Sequence, residues 1–534
     1  MQNEKVFLYD TTLRDGAQGE GISFADSGKI HLAHLLDDMG VDFIEGGFAS
    51  SNPRDQRFFS AIRNEKLRHA QITAFGSTRR ADLDAARDPQ LAALMETGAQ
   101  HITLFGKTSL LHVAEILRTT PENNLQIIAD SIGHLHQNHH RTVFFDAEHF
   151  FDGYKEDATY ALRVLATARR AGAHTLILCD TNGGTLPHEI HAITQSVRAA
   201  FAADPALTLG IHTHNDGGLA TANSLEAVRA GARHVQGTIN GYGERTGNAD
   251  LVSIIPALEL KMGFQTVGAT RLRGLRALSA QTADLANQTP DKRQPYVGQN
   301  AFCHKAGAHV NAVGKLPRSF EHIEPGLVGN QRRILVSELA GTTNIELKAK
   351  ELGVDLAGAG KDKLRAMRDT LKERENQGYA YESAEGSFKL LLQKILSGQA
   401  PHFEFQSFRV IVEKRGPGEP CLSEATVKIK ARGKTRLTAG EGRGPVDALH
   451  AALTAALADL HPQIAGVTLT DYRVRILNPE AATRALTRVL VESGDGTGTW
   501  STVGVSENII EASWQALLDS IECKLHAQAR DGDR

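Results

Sequence analysis

The sequence has few cysteines, little net charge and no long apolar run. Its 534 residues include four cysteines, which are widely separated and form no CxxC pair. This spacing argues against a disulfide framework or a structural zinc ribbon, and it is typical of a reducing compartment. The formal net charge of -3 gives the chain no overall attraction to nucleic acid or to an anionic membrane.

The sequence also lacks the features of a membrane or secreted protein. No apolar run approaches the length of a membrane span, and no basic-then-apolar leader precedes the first strand-like segment. We therefore expect a cytoplasmic protein without membrane or nucleic-acid partners. Because 534 residues are too many for one compact core, two or three domains are expected.

Short β-rich runs alternate with longer amphipathic stretches in the first half of the chain. Each run is an unbroken series of β-branched and aromatic residues, as in parallel strands that are buried on both faces. The eight runs cover residues 6–12, 41–48, 71–77, 101–107, 141–150, 174–184, 208–216 and 234–243. Helical patterns lie between them, as at 26–39, 160–171 and 218–230. Eight such units predict a (β/α)8 TIM barrel, and periodicity alone leaves a doubly wound open sheet as the alternative.

The pattern changes after the barrel. We predict a catalytic barrel domain at 1–285, a helical connector region at 286–395 and a C-terminal α+β domain at 396–534. In this tail, residues 403–415, 424–442 and 467–478 alternate like half-exposed antiparallel strands, and helical patterns lie at 445–460 and 508–527. The tail contains no group of titratable residues that suggests catalysis. Regulation or dimerisation is therefore its expected role.

A metal site is expected at the C-terminal mouth of the barrel. His212 and His214 are two residues apart at the end of the seventh strand, so both imidazoles point to the same side. A single H-x-H pair is weak evidence, but Asp15 follows the first strand and Asn248 follows the eighth. Strands one, seven and eight are neighbours in a closed barrel. One carboxylate, two imidazoles and one amide oxygen suit Mg²⁺ or Mn²⁺, with Zn²⁺ also possible.

Three motifs carry a family resemblance: DTTLRDGAQ at 10–18, GIHTHND at 210–216 and NGYGERTGN at 240–248. Together they resemble the acyl-transferring branch of the DRE-TIM metallolyases, which includes isopropylmalate, homocitrate and citramalate synthases. Further stretches are most similar to the citramalate synthases, at 51–55, 145–155, 179–187, 322–341 and 503–517. The resemblance covers nearly the whole chain.

The resemblance implies an acyltransferase that condenses acetyl-CoA with pyruvate to (R)-citramalate, for isoleucine biosynthesis. It also implies a homodimer in which the segment after the barrel completes the neighbouring active site. The C-terminal domain would bind an amino-acid effector. The same chemistry on another 2-oxo acid, a lyase or aldolase with the same metal site, and a regulatory paralogue without turnover are the alternatives.

The chemistry requires a cation where negative charge develops on the enolate and alkoxide oxygens. Arg14 is the expected cation, because it follows a strand end and adjoins Asp15. A structural ion pair between Arg14 and Glu45 is the alternative. Gln18 is expected to contact the substrate or a ligand water, although it could equally be an ordinary turn residue.

The expected base is Glu148 or its immediate partner, since nearby aromatic residues could desolvate its carboxylate and raise the pKa. Asp146 points to the same side and is the rival carboxylate. Thr181 offers a hydroxyl to the substrate carboxylate, or caps the following helix. In the family that this sequence resembles, the corresponding Thr binds the 2-oxo acid.

The family resemblance also extends to the connector. His309 in CHKAGAHVNAV matches the catalytic histidine that such enzymes deliver across the dimer, and His304 is the local competitor. Two positions differ from the family pattern: Phe320 stands where a Tyr is usual, and Thr342 stands where an Arg is more usual. These differences put the identity of the substrate in doubt more than the class of reaction.

Overall fold

The computed structural model describes residues 4–48, 52–305, 307–335, 342–356, 358–398 and 400–529. The chain divides into two compact units. The first comprises Met1–Phe302 and Ile323–Gln331, and the second comprises Cys303–His322 and Arg332–Arg534. Among the described residues, none of the helices has both the length and the apolar character that crossing a bilayer requires.

The first unit is a closed barrel of eight parallel strands in sequence order. The strands are β1 (Phe7–Asp10), β2 (Phe43–Phe48), β3 (Gln71–Ser77), β4 (His101–Lys107), β5 (Thr142–Glu148), β6 (Ala173–Asp180), β7 (Thr208–Thr213) and β8 (His234–Gly237). Pairing of β1 with β8 closes the sheet, with Tyr9 opposite Gln236. The predicted barrel is thus confirmed, and the open-sheet alternative is wrong.

Helices surround the barrel. They are α1 (Asp26–Met39), α2 (Pro53–Ile62), α3 (Pro89–Glu96), α4 (Pro121–Gly133), α5 (Phe150–Glu156), α6 (Ala158–Ala171), α7 (Pro187–Ala200), α8 (Ala220–Ala230), α9 (Leu251–Pro256), α10 (Ala269–Leu272) and α11 (Leu275–Leu285). Several begin with proline after a capping side chain, as where Asp88 accepts hydrogen bonds from the first backbone amides of α3. The apolar faces of strands and helices form one large core.

The barrel interior contains a buried polar network. The Tyr9 hydroxyl donates to Glu45 Oε2 at 2.6 Å, and Thr73 donates to the Tyr9 oxygen at 2.8 Å. Phe144 packs edge-on against Tyr9, with the ring centroids 6.2 Å apart. Because a buried polar group without a partner is costly, this network holds Glu45 in one position.

The second unit contains helices and antiparallel sheets, and the predicted α+β character of the C-terminal domain is confirmed. It contains β9 (Cys303–His304), α12 (Gly307–Lys315), β10 (Arg333–Ile334), α13 (Thr342–Glu351), α14 (Lys361–Asn376), α15 (Glu385–Ser397), β11 (Phe403–Glu413), β12 (Leu422–Ala431), β13 (Lys434–Gly442), α16 (Pro445–Leu457), β14 (Thr468–Ile476), β15 (Thr487–Gly494), β16 (Thr499–Ser506) and α17 (Ile509–Ala529). Two antiparallel three-stranded sheets have the orders β11-β12-β13 and β14-β15-β16. Helix α16 packs on the first sheet and α17 on the second.

Candidate active site

Three of the four expected metal ligands converge at the carboxyl ends of β1 and β7. His212 Nε2 lies 3.4 Å from Asp15 Oδ2, and His214 Nε2 lies 3.9 Å from the same oxygen. The two Nε2 atoms are 3.1 Å apart. All three side chains are buried, with exposed fractions of 2–7%. Such close, buried donor atoms need either shared protons or a bound cation.

The hydrogen bonds around His212 favour a cation. Gln236 Oε1 lies 2.8 Å from His212 Nδ1, and since an amide oxygen only accepts, Nδ1 carries the proton. In the neutral imidazole the lone pair is then on Nε2, which faces Asp15 and His214. The backbone of Asn248 forms an isolated antiparallel β-bridge with that of His214. The side-chain Oδ1 of Asn248 is buried and has no hydrogen-bond partner within the described residues. The residues present fit a divalent ion bound by two imidazoles and two oxygens.

The three side chains of this cluster differ in their electrostatics. Burial lowers the pKa of His212, but the hydrogen bond to Asp15 and the charge of Asp15 outweigh that effect and raise it. Burial raises the pKa of Asp15, but Arg14 and His212 outweigh that effect and hold it well below the usual range. Burial and the neighbouring His212 lower the pKa of His214 to about 3. At neutral pH Asp15 is therefore a carboxylate and His214 a neutral imidazole, which are the protonation states that bind metals.

Arg245 also contacts His214, and the sequence reasoning did not assign it a role. Its Nη2 lies 2.8 Å from His214 Nδ1, and its guanidinium binds both oxygens of Asp216 at 2.8 and 2.9 Å. Because a guanidinium only donates, this contact needs Nδ1 of His214 without a proton. Coordination through Nε2 needs the opposite tautomer, so metal binding and this contact exclude each other.

Arg14 lies between two carboxylates. It forms a close ion pair with Glu45, and its Nη1 is 3.5 Å from Asp15 Oδ1. The guanidinium also lies over the Phe75 ring, 3.8 Å from the centroid. Burial lowers the pKa of Arg14, but the charges of Asp15 and Glu45 outweigh this effect and raise the pKa above its ordinary value. The side chain therefore stays a cation. The structural ion pair and a catalytic role are thus compatible.

The two candidate carboxylates of β5 have different surroundings. Asp146 is buried, accepts a hydrogen bond from Gln236 Nε2 at 3.0 Å, and has a pKa that burial raises to about 7. Glu148 is partly exposed and forms an ion pair with Lys107, which the sequence reasoning missed. The burial expected for Glu148 is therefore found at Asp146 instead. The role of Glu148 stays a prediction.

Thr181 and Gln18 also lie at this end of the barrel. The backbone amide of His149 donates a hydrogen bond to Thr181 Oγ1 at 2.8 Å. The hydroxyl hydrogen of Thr181 can therefore be donated to a different acceptor. His149 has a left-handed backbone (φ 55°) and stacks on His112, with the ring centroids 3.9 Å apart. Gln18 is exposed at the end of a short 3-10 turn that begins after Asp15.

The connector histidines belong to the second unit. His309 is exposed on α12 and stacks on Phe320, with the ring centroids 4.2 Å apart. His304 Nε2 lies 3.2 Å from Glu321, which also binds Arg332. Thr342 begins α13, and most of the adjoining motif, residues 336–341, lies outside the described residues. The catalytic role of His309 stays a prediction.

Three family models match the chain. An HMGL-like model matches residues 5–279, a homocitrate synthase post-HMGL domain-like model matches 296–378, and a LeuA allosteric (dimerisation) domain model matches 382–525. The order of the matches follows the barrel, the connector and the C-terminal α+β domain.

Several curated proteins are similar over nearly their whole length. An (R)-citramalate synthase of Geobacter sulfurreducens is 50% identical and covers 98% of both chains. One of Aquifex aeolicus is 47% identical and covers 99% of both. A 2-isopropylmalate synthase of Methanocaldococcus jannaschii is 30% identical, covering 97% of this chain and 94% of its own.

Proposed function

The chain belongs to the (R)-citramalate synthase family, with an HMGL-like barrel, and from this premise we propose that it condenses acetyl-CoA with pyruvate. The products are (R)-citramalate and CoA, with one water consumed in hydrolysis of the thioester. The chain is an acyltransferase that uses acetyl-CoA and a 2-oxo acid. The observation that carries the proposal is the convergence of Asp15, His212 and His214 beside the cation Arg14.

Asp15, His212 and His214, with Asn248 beside them, are the residues that would hold a divalent ion. When bound, that ion supplies Lewis acidity to the ketone of the 2-oxo acid, and we favour Mg²⁺ or Mn²⁺ over Zn²⁺. Arg14 contributes a fixed positive charge next to this site. A preformed cation is worth several kcal/mol where negative charge develops, because no reorganisation is needed during the reaction. Thr181 would donate its hydroxyl hydrogen to the substrate carboxylate, and Gln18 would contact the substrate or a ligand water.

We assign the removal of the methyl proton of acetyl-CoA to Glu148. Its rival Asp146 is engaged by Gln236, which also binds the ligand His212, so Asp146 is better placed to position that ligand. Glu148 is partly exposed at the end of β5, where it forms an ion pair with Lys107. His309 would serve as the acid or base that a second copy of the chain delivers, with Phe320 packed against its ring.

The remaining assignments follow from the family. We propose a homodimer built on the LeuA-like domain, an amino-acid effector that binds this domain, and a cytoplasmic location. The boundaries 1–285, 286–395 and 396–534 would then separate catalysis, completion of the active site and regulation.

The test is the release of CoA, measured with a thiol reagent after EDTA treatment and addition of Mg²⁺, Mn²⁺ or Zn²⁺. A panel of pyruvate, 2-oxobutyrate, 2-oxoisovalerate and 2-oxoglutarate is compared, with a blank for the exposed Cys421. We expect release with pyruvate, restored by Mg²⁺ or Mn²⁺, and loss of it in His212→Gln. The exposed His31 provides the control His31→Gln. If CoA is released only with a larger 2-oxo acid, pyruvate is not the substrate. If no 2-oxo acid of the panel gives CoA release, the proposed activity is wrong.

A further inference from the structure

A second group of side chains that could hold a metal ion lies in the C-terminal part of the second unit, away in sequence from the connector histidines. It consists of His402, Glu522 and His526, whose donor atoms all lie within 4.8 Å of one another. His402 directly precedes β11, and Glu522 and His526 lie one turn apart near the end of α17. The group therefore joins the start of a strand to the end of a helix.

The geometry resembles a chelate. Residues i and i+4 lie on one face of a helix, so Glu522 and His526 present their side chains together. Glu522 Oε2 lies 2.8 Å from His402 Nδ1 and 3.7 Å from His526 Nε2. The two imidazoles are nearly perpendicular, at 79°, with their centroids 4.7 Å apart. In a tetrahedral zinc site, donor atoms lie about 3.3 Å apart. The three donor atoms, which all lie within 4.8 Å of one another, are near that spacing.

The backbone that carries these side chains is held by the core. Phe403 follows His402 and is buried in the same apolar cluster as Ile521 and Leu525, which flank Glu522 and His526 along α17. The backbone amide of His402 also donates to Glu522 Oε1 at 2.9 Å. This bond orients the carboxylate so that Oε2 faces both imidazoles. Supporting bonds of this kind are typical of the residues around metal ligands.

The charges favour a cation at this place. Within the described part of the chain, the only ion-pair partners of Glu522 are His402 and His526, and neither is a permanent cation. The nearest lysine along α17, Lys524, pairs with Asp495 instead. The buried Glu522 carboxylate thus faces only imidazoles among its described ion-pair partners, and no lysine or arginine occupies the place that a metal ion would take.

We propose that His402, Glu522 and His526 form a second metal site, selective for Zn²⁺-like transition ions over Mg²⁺. Two imidazoles and one carboxylate suit Zn²⁺, Co²⁺ or Ni²⁺. A fourth position stays open for water or another ligand. A bound ion would fasten the end of α17 to the start of β11, so that occupancy stabilises the C-terminal domain.

The test is a titration of the metal-free full-length chain with Co²⁺. Binding is monitored by visible absorption, and the number of bound ions is measured by equilibrium dialysis. This count rests on the proposed function: because the barrel cluster would also bind Co²⁺, we expect about two ions per wild-type chain. His526→Gln and Glu522→Gln should each reduce this to about one, whereas His461→Gln, a nearby control, should leave it at about two. His212→Gln, which leaves the C-terminal domain intact, should retain about one.

The His212→Gln variant also tests the second site if the variants of the C-terminal domain fail to fold, because its own C-terminal residues are unchanged. If His212→Gln bound no Co²⁺, or if the wild-type chain bound about one ion that His526→Gln retained, the second site would not exist. Loss of an ion in His461→Gln equal to that in His526→Gln would contradict the ligand set. A rise in the unfolding temperature of His212→Gln on addition of Zn²⁺, absent from a His212→Gln/His526→Gln variant, would support it.

Discussion

Gln236 is the residue that fixes how His212 faces the metal site. It accepts from His212 Nδ1 at 2.8 Å and donates to Asp146 at 3.0 Å. Gln236→Leu keeps the volume but removes both bonds, so the Nε2 lone pair of His212 would no longer be directed at Asp15. We expect Mn²⁺ affinity to fall about 10–100-fold, with activity partly restored by excess Mn²⁺. Titration of activity against Mn²⁺ measures this change.

The exposed Gln71 at the start of β3 gives the control variant Gln71→Leu, which should bind Mn²⁺ like the wild type. Equal Mn²⁺ affinity in Gln236→Leu and the wild type would mean that Gln236 does not orient His212.

At this scale, spacing in the sequence was enough to predict which side chains converge. His212, His214 and Asp15 meet because strand alternation and barrel closure follow from the pattern alone. The partners of these residues were harder to predict. Lys107 meets Glu148 because β4 and β5 pair in that register, and a register cannot be calculated from composition. The predicted strand-like runs at 101–107 and 141–150 end close to Lys107 and Glu148. These neighbouring strand ends were the signal in the sequence that could have indicated the ion pair.

Among the elements, the loop between β8 and α9 depends on its glycines. Gly247 has a φ of 94°, and a Cβ there would lie 2.1 Å from the carbonyl oxygen of Gly241. Gly247→Ala would force the loop open and displace the adjacent Asn248. We expect loss of most of the activity together with weaker metal binding, measured as kcat/KM and as Mn²⁺ affinity.

Gly184 is a matched control, because it lies after β6 at the same end of the barrel and a Cβ there meets nothing within 4 Å. Gly184→Ala should keep its metal affinity. If Gly247→Ala also kept its affinity, Asn248 would not be a ligand.

Three predicted elements have the bounds that the structure shows, whereas the longest predicted runs, such as 234–243, extend past the ends of their strands. The predicted strands at 71–77 and 101–107 and the helix at 26–39 match the structure at both ends. Strands β15 and β16 were not predicted. Buried positions on them hold polar residues, such as Ser493 and Thr502, so the apolar alternation that identifies a strand is weak there.

On the scale of the whole molecule, one buried carboxyl links stability to pH. Burial raises the pKa of Asp519 from its ordinary 3.8 to about 6, and Ser387 donates to it at 2.5 Å. The folded state then binds this proton more tightly than the unfolded state. The contribution of Asp519 to stability is therefore fully present below pH 3.8 and is lost as the pH rises to about 6.

Asp519→Asn should remove this dependence. At pH 7.5 we expect the variant to be more stable than the wild type by on the order of 1–3 kcal/mol, and near pH 4 the difference should shrink toward zero. Calorimetric unfolding of the full-length protein across this pH range measures the difference. Asp459→Asn, at an exposed ion pair with Arg436, is the control. A difference that does not vary with pH would contradict the assignment.

The closing of the barrel by β1 and β8 has a consequence for biosynthesis. Phe7 pairs with His234, so the last seam of the barrel joins segments more than two hundred residues apart. At about 5–20 residues per second, the ribosome needs roughly 11–45 s to travel between them. During that interval one edge of β1 has no strand to pair with, and exposed strand edges recruit other chains. The nascent chain thus passes through a period in which chaperones have an unpaired edge to protect.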